Sequence, residues 1–122
     1  MVIFLMVVVG LLLAALAQLN RGSAATLSQE VLSTRALFAA ETGAQAVAMK
    51  VFPRGAAVAG CPAGAQNFSF TTTGLASCSA QVTCTTTTVG TQTRFLLDSS
   101  GSCSGGTEQG FRRIEVALRT MP

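Results

Sequence analysis

The hydrophobic pattern changes period along the chain, and each change marks an element. Residues 1–17 contain no polar side chain before Gln18, and a helix needs about 20 such residues to cross the hydrocarbon core of a bilayer. A segment apolar on all sides, here 1–20, fits a membrane span or a helix buried in an assembly. From 21 to 52 the chain is rich in alanine with scattered Arg35, Glu41 and Lys50. Leu27, Val31, Phe38, Gln45 and Phe52 recur near heptad spacing, beside a stripe of Leu37, Val47 and Val51, the mark of an amphipathic helix with a wide apolar side. Pro53 is the first strong helix breaker and disfavours helix at the residue before it. The pattern therefore predicts one helix over 1–52, with a polar weak point at Asn20-Arg21-Gly22-Ser23, where Gly22 costs about 1 kcal/mol relative to alanine.

Such a helix would be about 78 Å long, more than a globule of 122 residues can wrap. Its apolar surface must be sheltered by something outside the chain: lipid for the first part, other subunits for the rest. Ala24, Ala25, Ala36, Ala39, Ala40, Ala44, Ala46 and Ala48 are small enough to let helices approach one another closely. The inner stripe of 21–52 is expected to lie on whatever sheet the remaining residues form.

After Pro53 the period becomes two. Residues 54–66, with Gly60, Pro62 and Gly64, read as a loop holding Cys61. Phe68 and Phe70 alternate with Asn67, Ser69 and Thr71, and Cys78, Ala80, Val82 and Cys84 share one face opposite Ser79, Gln81 and Thr83; both are half-buried strands. Gly90 marks a turn, 91–97 a third strand, 98–106 a loop, and 111–119 a last strand with Ile114, Val116 and Leu118 inward. The fold class is α+β: a long N-terminal helix packed on a small antiparallel sheet. The organisation is 1–20 membrane or assembly helix, 21–52 its amphipathic continuation, and 53–122 the β domain.

Seventy residues make a marginal core that usually requires a staple, and all four cysteines lie in this domain. Disulfides persist in oxidising compartments, which places the β domain in a periplasm or outside the cell. Cys78 and Cys84 are separated by about 20 Å along one strand and cannot bridge. Folding back at Gly90 sets Cys78 beside position 102, which makes Cys103 its natural partner and leaves Cys61 with Cys84. The pairing of Cys61 with Cys78 and Cys84 with Cys103 remains open on spacing alone.

Charge and chemistry narrow the function class. The helix carries net +1 and the β domain net +2, with no basic run of the kind nucleic-acid binding uses; Arg112-Arg113 reads as a solvated strand edge. The chain has no histidine, so the usual general base, zinc ligand and partner of a nucleophile are missing. No C-x-x-C element suggests zinc, and Asp98 and Glu108, flanking a Gly/Ser stretch, make a poor calcium cage. The expectation is a structural, non-enzymatic protein with no catalytic residue, metal or cofactor.

An apolar N-terminal helix leading to Thr34-Arg35-Ala36-Leu37-Phe38-Ala39-Ala40-Glu41-Thr42-Gly43-Ala44-Gln45 and then Phe52-Pro53 resembles the type IV pilin-like minor pilins, in particular those of MSHA (mannose-sensitive haemagglutinin) pilus biogenesis. Cys61-Pro62, the Cys-Ser-Ala-Gln-Val-Thr-Cys strand at 78–84, Gly101-Ser102-Cys103 and Arg113-Ile114-Glu115-Val116 are similar to the same group. The resemblance implies a single-pass inner-membrane subunit with its C-terminal domain periplasmic. Assembly machinery would then move it into an extracellular filament whose core is a bundle of such helices. Its partners would be other major and minor pilins, met through the N-terminal helix, with Leu27, Val31, Arg35, Phe38 and Glu41 as the candidate assembly residues. The sequence departs from the family pattern in showing no basic leader, no Gly-Phe cleavage site and no acid before Glu30; a subunit without the fifth-position glutamate by which major pilins dock on a neighbour is expected at a filament tip. Two other readings fit the same features. One is a minor pseudopilin of a type II secretion system; the other is a secreted periplasmic or extracellular binding domain released after Ala17, where Ala15-Leu16-Ala17 matches a signal-peptidase site.

Overall fold

The computed structural model describes residues 1–121, with the side chains of Ala24 and Ala25, two of the small residues noted above, outside the described set. One helix, α1 (Val2–Val51), is followed by four strands: β1 (Gln66–Phe70), β2 (Cys78–Val89), β3 (Gln92–Gly105) and β4 (Glu108–Arg119). The helix stops where Pro53 forbids another turn, with the Phe52 N–H donating to the Ala48 carbonyl. The strands form one antiparallel sheet in the order β1-β2-β3-β4. Two-residue connections join β2 to β3 and β3 to β4, led by Gly90 (φ 63°) and Gly106 (φ 71°). Left-handed backbone at those corners suits glycine and matches the twist of the paired strands.

The sheet lays one face on the second half of α1. Leu32, Ala36, Ala39, Ala40, Ala44, Val47 and Val51 are buried against Cys78, Ala80, Val82, Phe95, Leu97 and Cys103. Val47, Val51, Val82, Phe95 and Leu97 form one cluster, with the Phe52 and Phe95 rings edge to face at 5.6 Å, and Leu32, Ala36, Ala39, Cys78 and Cys103 form another. Fully burying a Val or Leu contributes about 1.5–3 kcal/mol, so the Val/Leu/Phe cluster carries most of the domain's hydrophobic stabilisation. Cys78 is joined to Cys103, its direct cross-strand partner, and Cys61 to Cys84.

Two sequence expectations are corrected here. Residues 98–106 were expected as a loop, but 98–105 belong to β3, paired through Gly105 with Glu108. Ser99, Gly101 and Cys103 alternate inward, and they are small because the helix backbone lies directly on them. A Cβ at Gly101 would fall on the Ala36 carbonyl and one at Gly110 on the Leu32 carbonyl; one at Gly43 would come within 2.9 Å of the Ala80 methyl. The second correction concerns the alanines of α1. Ala36, Ala39, Ala40 and Ala44 receive the chain's own sheet, not a neighbouring helix.

Candidate functional site

The two faces of α1 behave oppositely. Counting from Leu32, the inner face is covered by the sheet; from 1 to 31, every residue whose burial is described is exposed except half-buried Val8. This uncovered length holds the segment long and apolar enough to cross a membrane. Further along, an outward stripe continues over the covered half. Leu27 (62 % exposed), Val31, Phe38 (54 %) and Met49 keep an unpartnered row, joined by exposed Glu30, Thr34, Glu41 and Gln45 at helical spacings of three and four. Of the sequence-predicted assembly residues, Leu27, Val31, Phe38 and Glu41 therefore lie together on one exposed face.

Arg35 does not join them. Its guanidinium turns to the sheet's end of the molecule, Nε donating to the Gly74 carbonyl and Nη2 to the Ala76 carbonyl, each at 2.7 Å. It anchors the 71–77 connection to the helix, a structural task set by those two carbonyls. Of the heptad residues, Gln45 is exposed and Phe52 packs into the core, whereas the neighbouring Val47 and Val51 are fully buried. The inner stripe is thus composed of small residues and valines, and most of the large apolar side chains are left outside.

Four hydroxyls of α1 are satisfied within the helix. The hydroxyls of Ser23, Thr26, Thr34 and Thr42 donate to the carbonyls of Leu19, Gly22, Glu30 and Phe38, four residues back in each case. Hydroxyl donors closed in this way do not need water.

Three further contacts, absent from the sequence reading, tie helix and sheet. Buried Ser99 donates to the Ala40 carbonyl at 2.7 Å, and Arg112 Nε donates to Ser33 Oγ at 2.6 Å. Lys50 donates to Gln66 Oε1 at 2.9 Å and sits 5.6 Å from the Phe68 ring centre. The period-two placement of Ser99, Gly101 and Cys103 was the available signal for the first. On the outer face of the sheet Arg113 forms a bidentate ion pair with Asp98, with one contact of 2.7 Å. The Arg113 hydrogen bonds hold the Asp98 carboxyl below its ordinary pKa and raise that of Arg113 in turn. Asp98 is thus a partner of Arg113, and with 98–105 extended it stands about 23 Å from the Glu108 end of the strand. Among the described residues no three His, Cys, Asp or Glu side chains gather as a metal centre would need.

Comparison with protein-family models, with curated proteins and with solved structures gives no match to this chain.

Proposed function

We propose that this chain is a membrane-anchored filament subunit, structural and non-enzymatic. Within that class the reading is a minor pilin of an MSHA-like type IV pilus, similar to MshP, that takes part in pilus assembly or tip formation. The observation that carries it is the uncovered apolar length of α1, continuous with a half that the chain's own sheet covers. Exposed leucines, valines and phenylalanines over such a length need lipid before assembly and neighbouring helices after it. The two cystines suit an oxidising environment for the sheet, periplasmic before assembly and extracellular in the filament. Major and minor pilins and the assembly machinery are the partners this reading requires.

The test is fractionation of tagged full-length chain. Co-purification with inner membranes and with sheared pili is expected. Consistent absence from both, or a water-soluble monomer without detergent, would overturn the proposal, and recovery with a secretion apparatus in place of pili would reassign it to the pseudopilins.

A further inference from the structure

The two cystines close loops of nearly equal length, with sequence separations of 23 and 25, so loop entropy does not distinguish them. Their surroundings do. Cys78 and Cys103 are 3 % and 2 % exposed, enclosed with Leu32, Ala36 and Ala39 where β2 and β3 pair directly. Cys61 and Cys84 are half-buried, at the rim of the cluster of Val47, Val51 and Phe95. An attacking thiolate reaches a sulfur at such a rim and not one enclosed by packed strands.

Cys61–Cys84 also holds a segment that little else holds. Residues 53–70 run as a strap from the end of α1 to the end of β1, and within it 54–59 and 63–65 are exposed. Gly55, Gly60 and Gly64 have left-handed backbone with open space around them. Before β1 the strap is tied to the helix by the Ala59 N–H donating to the Val51 carbonyl at 3.0 Å. β1 then pairs with β2 over five residues, 66–70 against 78–82, with Phe68 and Phe70 half-buried against the two core clusters. Beyond Phe70, Arg35 fixes the next connection through the Gly74 and Ala76 carbonyls. At the other end of the ladder Cys84 lies two residues past the last pair, Gln66 with Val82, so the cystine stands where β1 begins.

We infer that Cys61–Cys84 is a redox latch on this strap: its reduction frees 53–70 from the sheet while Cys78–Cys103 and the pairing of β2, β3 and β4 stay in place. The reductant is a dithiol, the chemistry of a thiol–disulfide exchange protein. One of its thiolates attacks a sulfur of Cys61–Cys84, forming a mixed disulfide and expelling the other cysteine as a thiolate. Its second thiol then breaks the mixed disulfide, so two electrons and two protons pass to the cysteine pair and the dithiol leaves as a disulfide. With the strap lifted, the 78–82 edge of β2 loses its partner and the flanks of both clusters are uncovered. An unpaired edge of that kind accepts a foreign strand. Reoxidation shuts it, so the closed edge depends on an oxidising compartment, whether or not the chain enters a filament.

Treating the full chain in detergent with dithiothreitol, without denaturant, tests this. Free thiols are trapped by alkylation and mapped, and hydrogen exchange is followed at 66–70 and at 96–103. Cys61 and Cys84 should be alkylated while Cys78 and Cys103 remain joined. Exchange at 66–70 should quicken by roughly a hundredfold, the scale of the stabilisation a disulfide gives, with 96–103 unchanged. Cys61→Ser/Cys84→Ser should show the same fast exchange at 66–70 without reductant. Reduction of Cys78–Cys103 first or in the same step, no reduction of either cystine, unchanged protection at 66–70 once Cys61–Cys84 is open, or loss of protection throughout the sheet would each overturn the inference. None of these readouts uses filaments or membranes, so the latch and the pilin reading stand or fall independently.

Discussion

The two halves of α1 are built on contrasting rules. The half from Leu32 to Val51 places alanine, glycine and valine where another element will touch it; the half before it places leucine, valine and phenylalanine where nothing in the chain does. Bulk is therefore put where the partner is absent, and smallness where the partner is the chain's own backbone. The lesson is that residue size, more than hydrophobicity, separates contacts made within the subunit from those left for its surroundings.

Substitutions should split along that boundary. The largest effect is expected from Gly101→Val or Gly110→Val, which drive a side chain into the helix backbone. The added Cβ meets main chain that cannot swing aside, so the loss of stability should pass the usual overpacking range and exceed about 4 kcal/mol, read as lost hydrogen-exchange protection in the β domain in detergent. The matching change in the bare half, Gly22→Ala, meets open space and should be neutral or stabilising by up to about 1 kcal/mol. A gain at Gly101 or a large loss at Gly22 would break the comparison.

Next comes Cys78→Ser/Cys103→Ser. Releasing a cross-link with a sequence separation of 25 should cost about 3.5 kcal/mol by the loop-entropy relation, seen as a lower denaturant midpoint while membrane association is unchanged. Val47→Ala is expected to cost about 2 kcal/mol in the same measurement, whereas Leu12→Ala should leave the β domain untouched. Smaller again is Ser99→Ala, which removes one buried hydrogen bond to the Ala40 carbonyl, worth about 1 kcal/mol.

The least effect belongs to the ion pair on the outer face. Because Arg113 lowers the pKa of Asp98 in the folded state, the contribution is fully present above the ordinary carboxylate pKa. It fades as the pH falls through the lowered value. A slight acid-induced loss of stability, abolished in Asp98→Asn, is the expected result; a loss on raising the pH from neutrality would contradict it.

Much of this architecture was legible in the residues. The apolar run and Pro53 mark α1 to within a residue at either end, and alternation marks β1 and the first half of β2. Gly90 as a corner set Cys78 beside 102, and the structure joins Cys78 to Cys103. What escaped were the places where helix and sheet meet most closely. Ser99, Gly101 and Gly110 look like loop composition because they lack the bulk by which a buried strand is usually detected, and they lack bulk because the carbonyls of Ala36 and Leu32 occupy the space. The candidate assembly stripe was legible in Leu27, Val31, Phe38 and Glu41. Arg35 was not separable from it, since its partners are main-chain carbonyls of a segment 39 and 41 residues away.

The placement of the two cystines also determines how the molecule bears tension. Both lie outside α1, one clasping β2 to β3 and the other tying the loop after the helix to β2. Under tension along α1, load passes from the helix to the sheet through the alanine seam and the hydrogen bonds of Arg35, Ser99 and Arg112, all stressed in shear. The covalent clasps do not share that load until the seam slips, and from then on they cap how far the head can unravel.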